Sequence, residues 1–157
     1  MVQESDLGHI SIILVRPRQP ENIGFVARTV ANHGLGPLIL VHPTVFDPER
    51  ARWSAPGARH VIDQVRIFGT LKEATAEFEQ VFGTTARERS ITQAGWSPHE
   101  FCDLVLNKPR KSAVLFGPED SGLSREDLSC CSALIRIPTT TVSSLNLAQA
   151  VTALAAL

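Results

Sequence analysis

Six short apolar runs constrain this chain more than any other feature. They cover residues 10–15, 38–41, 65–68, 81–83, 113–116 and 134–137. Each is a largely apolar run rather than an alternation with polar residues. That pattern belongs to strands covered on both faces, as in a parallel sheet. Helical patterns separate most of the runs. Pro20 suits the first turn of a helix that ends near Gly34. Thr70 with Glu73, and Ser97 with Glu100, read as capping boxes at two further helix starts, and Ser124 with Asp127 as a shorter-armed variant. Strands alternating with helices predict an α/β fold: one parallel sheet of about six strands, with helices on both faces. Residues 42–58 hold Pro43, Pro48, Pro56 and Gly57 and read as an ordered surface loop.

The chain of 157 residues suits a single domain, 1–157, with a sizeable core. No apolar run approaches the roughly 20 residues of a membrane-spanning helix. The first ten residues lack the basic and apolar segments of a signal peptide. Cys102, Cys130 and Cys131 form neither a CxxC pair nor a Cys/His ligand spacing. The expectation is a cytoplasmic protein with reduced, structural thiols and no metal site. A net charge of −1 argues against coating nucleic acid by bulk electrostatics. It leaves room for local basic patches, at Arg16, Arg18 and Arg28 and at Arg87, Arg89, Lys108, Arg110 and Lys111.

Common nucleotide and hydrolase signatures are missing. Gly34-Leu35-Gly36 has no third glycine in the dinucleotide spacing, and there is no phosphate-binding loop motif. No G-x-S-x-G elbow occurs either. Ligand chemistry is therefore left to the loops at the carboxyl ends of the strands, where open parallel sheets bind.

Three such segments stand out. In the first, Asn22, Gly24 and Arg28 follow the first strand. Asn22 and Arg28 point about 120° apart on a helix. A glycine there costs the helix about 1 kcal/mol relative to alanine and suggests close approach by another backbone or a ligand. An ordinary surface arginine beside a packing glycine would look the same. In the second, Phe116-Gly117-Pro118-Glu119-Asp120-Ser121-Gly122-Leu123 offers free backbone groups and a carboxylate. It also fits a β-turn whose acids serve the next helix. In the third, Ser143, Ser144 and Asn146 end a hydroxyl-rich turn that begins at Thr139. One of them could simply cap the helix predicted over 145–157. That helix lacks a closing glycine or charge, so a continuation beyond Leu157 is expected.

In this order the three segments resemble the motifs of the SpoU/TrmH class of SPOUT methyltransferases. The matches are Asn22, Gly24 and Arg28; Phe116 to Leu123; and Ser144, Leu145 and Asn146 before a small-residue helix. The Thr84-Thr85-Ala86-Arg87 stretch and the last segment look most like the TrmJ branch, which methylates a ribose in the tRNA anticodon loop (position 32). The resemblance implies a C-terminal trefoil knot, the SPOUT fold, and S-adenosyl-L-methionine bound within it. It implies cofactor contacts from Thr84, Thr85, Ala86, Gly117, Ile137, Ser143, Ser144 and Leu145. It implies catalytic roles for Arg28, Asn22, Ser144, Asn146 and Glu119, the last supporting the second-motif loop. It also implies a homodimer, an RNA substrate and, in TrmJ-like proteins, a C-terminal RNA-binding extension that this chain would lack. The alternatives are a ribosomal RNA or another tRNA nucleotide as target, or a non-catalytic RNA-binding relative.

Arg28 is sometimes described in this class as a base. Arginine is effectively always protonated in proteins, which favours holding the neighbouring phosphate and stabilising charge on the reacting oxygen. Arg87 and Arg89 follow the Thr84-Thr85 segment and are candidate phosphate contacts, or a solvated loop. Replacing both with alanine should weaken RNA binding and lower the slope of log affinity against log salt by about 1 to 2 units. An unchanged affinity and slope in a salt titration would remove that role.

Overall fold

The computed structural model describes residues 7–85, 95–137 and 147–156. In chain order the elements are β1 (Ile10–Val15), α1 (Pro20–His33), β2 (Ile39–Val41), α2 (Pro48–Trp53), α3 (Arg59–Asp63), β3 (Arg66–Phe68) and α4 (Leu71–Thr75). They continue with β4 (Gln80–Thr85), β5 (Gly95–Trp96), α5 (Pro98–Asn107), β6 (Ser112–Phe116), α6 (Arg125–Ser129), β7 (Ala133–Arg136) and α7 (Leu147–Ala155). The strands form one sheet in the order β3-β2-β1-β6-β4-β7-β5. Every neighbouring pair is parallel.

The apolar runs have the predicted consequence in β1, β2 and β6, which are buried throughout, but not in the edge strand β3, where Arg66 and Ile67 are exposed. Ile10, Ile12 and Leu14 of β1 join a core with α1, α2, α3, α5 and α7. Ile13 and Val15 join a second core with α4 and α6 on the opposite face. Adjacent side chains of a strand point to opposite faces, so only a sheet covered on both sides buries the whole run. In the first core, the Phe82 and Phe101 rings meet edge to face at 5.0 Å.

Helix boundaries follow local chemistry. Pro20 opens α1, and Gly34 closes it in the left-handed conformation, φ 63°. The boxes at Ser97 and Ser124 are both reciprocal, with Glu100 and Asp127 answering the cap. At Thr70 the hydroxyl accepts from the Glu73 amide.

Two expectations need correction. The sheet has seven strands rather than six; β5 is two residues long and pairs only with β7, too short to register as an apolar run. Residues 42–58 are not all loop, because α2 lies within them. Asp47 caps it by accepting from the Glu49 and Arg50 amides, and Pro48 occupies the first turn. That Asp-Pro start is a helix signal that the surrounding prolines obscured. The described residues omit 86–94 and 138–146 and do not test the C-terminal trefoil knot implied by the resemblance. No helix among the described residues is long and apolar enough to cross a membrane.

Gly24 meets another backbone, as its place in α1 suggested. A Cβ there would stand 2.2 Å from the Ala51 carbonyl oxygen and 2.0 Å from Ser54 Oγ. The Ser54 hydroxyl donates to the Glu21 carbonyl at 2.8 Å, fastening α2 against α1. Gly24→Ala should therefore destabilise the protein by about 1–3 kcal/mol, despite alanine's better helix propensity. Urea unfolding measures this, and an unchanged midpoint would deny the contact.

Candidate active site at the carboxyl ends of the strands

The register of β1 with β6, Leu14 opposite Phe116, sets the loops that follow them side by side. Across that junction the Glu119 carboxylate accepts from three donors. They are the Arg18 amide at 3.1 Å, the Gln19 amide at 3.3 Å and Asn22 Nδ2 at 3.3 Å. A carboxylate here also faces the positive end of the α1 dipole. Asn22 is only 4% exposed, so its amide is turned inward to this clasp. An exposed Arg18–Asp120 ion pair at 2.6 Å lies beside it.

The two glycines of this loop do different jobs. A Cβ on Gly117 would lie 2.2 Å from the Gly122 carbonyl carbon and from the Leu123 nitrogen, so the loop closes tightly upon it. Gly122 has φ 69°, a conformation that favours glycine. Its amide donates to the Pro118 carbonyl at 2.9 Å. The loop is a turn, and its acids reach further than the following helix: Glu119 serves the start of α1.

A second link joins the same two regions. The Arg16 guanidinium donates to both oxygens of Asp127, at 3.1 and 2.6 Å. Asp127 Oδ2 also accepts from the Ser124 amide at 2.8 Å. Burial alone would push the Asp127 carboxyl up, but the Arg16 guanidinium and the Ser124 hydrogen bonds outweigh it and hold the carboxyl below its ordinary value. The hydrogen bonds from Arg16 to Asp127 raise the arginine's pKa in turn.

The ends of β6, β4 and β7 lie next to one another. They bring together Gly117, Thr84, Thr85 and Ile137, all partly exposed. The Ile137 amide donates to the Thr85 carbonyl at 3.3 Å, and the Thr84 hydroxyl to the Leu115 carbonyl at 2.8 Å. None of the four carries a charge. Small uncharged side chains at the carboxyl edge of a parallel sheet make a suitable floor for a flat heterocycle with polar edges.

Residues 9–156 match the SpoU rRNA Methylase family. The chain belongs to that family. It is 38% identical over 149 residues to the tRNA (cytidine/uridine/adenosine-2'-O-)-methyltransferase TrmJ of Pseudomonas aeruginosa, covering 92% of this chain and 58% of the relative. It is 36% identical over 146 residues to the uncharacterised tRNA/rRNA methyltransferase LasT of Escherichia coli, covering 90% of this chain and 64% of the relative. The crystal structure of TrmJ from Z. mobilis superposes with a TM-score of 0.87 at 39% identity, covering 93% of this chain and 66% of that one. The chain thus spans 58% and 64% of the length of these two curated relatives.

Among the SpoU motif residues, the structure joins Asn22 to Glu119 directly and groups Thr84, Thr85, Gly117 and Ile137. Arg28 stands apart. It is exposed, and no hydrogen bond or ion pair among the described residues ties it to that group. Ala86, Arg87, Arg89, Ser143, Ser144, Leu145 and Asn146 lie outside the described residues. Sequence reasoning missed the link between Arg16 and Asp127. The two are far apart in the chain, and only the pairing of β1 with β6 shows that they meet.

The Asp127 carboxyl has a folded pKa below its unfolded one. Its stabilisation is therefore complete above the ordinary carboxylate range and is lost as pH falls through the folded value. Asp127→Asn should cost about 2 kcal/mol near neutrality, less than a fully buried pair would because Arg16 is partly exposed. The gap to the native protein should close as pH drops below about 4. Denaturant melts across pH measure it, and a gap independent of pH would reject this account.

Proposed function

We propose that this chain is the catalytic domain of an S-adenosyl-L-methionine-dependent RNA ribose 2'-O-methyltransferase acting on a tRNA anticodon-loop nucleotide. The observation that carries the reading is the grouping of Thr84, Thr85, Gly117 and Ile137 at three adjacent strand ends, beside the Glu119–Asn22 clasp. The cofactor would be held by those four residues together with Ala86, Ser143, Ser144 and Leu145. Bound there, it would supply an electrophilic methyl group.

The acceptor, a ribose 2'-hydroxyl, is a poor nucleophile and must lose its proton as it reacts. The guanidinium of Arg28 serves by binding the adjacent phosphate and stabilising negative charge as it develops on the oxygen. Ser144 and Asn146 orient the hydroxyl and the methionine end. Glu119 and Asn22 act one step back, fixing the start of α1, the helix that carries Arg28.

A homodimer fits this geometry. Phe25, 46% exposed, and Arg28 share the open side of α1, next to α7, which is fastened to it by the Thr29–Thr152 hydroxyl contact of 2.8 Å. A second subunit covering that side would place Arg28 at RNA held partly by its partner. A cytoplasmic location follows from a tRNA substrate. Ribosomal RNA is the second reading, favoured by the family description and by the similarity to LasT.

Incubation with total RNA and labelled S-adenosylmethionine, followed by mapping of the modified nucleotide, tests the proposal. A 2'-O-methylated anticodon-loop nucleotide supports it, a ribosomal site selects the second reading, and cofactor binding without transfer to any RNA sinks both. Arg28→Ala should lower transfer by about 100-fold or more while leaving cofactor affinity nearly unchanged. A large loss of affinity by calorimetry would count against the assignment.

A further inference from the structure

Arg16 has a backbone conformation that its side chain does not favour. Its φ is 49°, and it is one of two non-glycine residues with positive φ among the described residues. Glycine would take this conformation without a steric penalty. An arginine there calls for a use of its side chain, and the structure supplies one. The guanidinium forms a two-pronged hydrogen-bonded pair with Asp127, which is 6% exposed. The Arg16 amide is itself fixed by the Val41 carbonyl at 2.8 Å, so the arginine reaches from a rigid base.

What the pair holds is α6. The Ser124–Asp127 box at its start closes the 117–124 loop, whose middle is already held by Glu119. On its inner side α6 packs on the end of β4. A Cβ on Gly83 would stand 2.9 Å from both Leu128 Cδ2 and Cys131 Sγ. Thr84 and Thr85 follow at once. The position of α6 therefore sets two sides of the strand-end floor together: the loop from Gly117 and the end of β4.

We propose that the Arg16–Asp127 pair is a positioning device for the cofactor site, holding α6 so that the 117–124 loop and Thr84–Thr85 stand at the spacing the ligand needs. The inference rests on the reading of that floor as an S-adenosylmethionine site. Neither residue needs to touch the ligand, so the effect is on binding, and turnover at saturating cofactor changes less.

Three variants separate the side chain's role from general stability. Arg16→Gly removes the pair and relieves the backbone. Arg16→Met combined with Asp127→Asn removes both charges without leaving either alone. Arg16→Lys keeps the charge but cannot form the planar fork. Calorimetry with S-adenosylmethionine is run on each, beside Asp63→Asn, which breaks the Arg52–Asp63 pair between α2 and α3. The first two should bind at least tenfold more weakly while still melting cooperatively, Arg16→Lys should fall between them and the native protein, and Asp63→Asn should match the native protein. KM for the cofactor should rise by more than kcat falls. Native-like affinity in Arg16→Gly and the double variant overturns the proposal. If either unfolds, Arg16→Lys decides, and native affinity there overturns it equally. A native protein that does not bind S-adenosylmethionine brings down the reading of the site, and this inference with it.

Discussion

Strands β1 and β6 pair in register from Ile10 and Ser112 to Leu14 and Phe116, and the site depends on that pairing. A parallel pair delivers both chains to the same edge of the sheet. The loop after β1 leads into α1 with Asn22 and Arg28, and the loop after β6 is the glycine-bracketed turn. Backbone pairing brings the two loops near one another but does not fix their relative position. The carboxylates do that. Glu119 binds two amides and one side-chain amide at the start of α1, and Asp127 binds Arg16 just before it. Asp127 is the buried one of the two, and its donors from Arg16 and Ser124 make burying that carboxylate tolerable.

Much of this architecture was legible in the sequence because it is local. A strand buried on both faces is largely apolar, and all six predicted runs are strands, although the edge strand β3 is exposed. Pro20 and Gly34 mark the ends of α1, since one lacks a donor that the first turn does not need and the other tolerates positive φ. What was not legible depends on partners distant in the chain. Two residues make β5 a strand only because β7 lies beside them. In α2, the capping Asp47 was readable, but three prolines and a glycine nearby argued for loop. For Glu119, the turn reading was correct about the backbone and incomplete about the side chain. Its three donors lie at and just before the start of α1, far away in the sequence.

Glycine conveys two different constraints in these motifs. Gly24 leaves room for α2, with the Ala51 carbonyl occupying the space a side chain would need. Gly117 leaves room for its own loop to close. In neither case does the missing side chain face a ligand directly. These glycines act on the site through packing: one sets the seat of the helix that bears Arg28, and the other sets the shape of the turn that bears Glu119. In the first two segments the glycine positions are thus in part a packing specification.

The placement of Arg28 bears on what it can do. It lies six residues beyond Asn22, about 9 Å further along the helix axis from the clasp. Asn22 faces inward while Arg28 faces solvent, as their angular separation requires. A general base needs close contact with one proton, and an exposed side chain turned to solvent does not offer it. A phosphate contact makes weaker demands: a long, permanently charged fork can reach an anion presented from outside the subunit. Under the proposed function, this exposed position suits Arg28 to substrate charge and leaves the cofactor to the strand ends. It also explains why the two functions can sit on separate elements, provided that something fixes α1 against the sheet. Glu119 and the close contact at Gly24 do so from opposite sides of the helix's first turns.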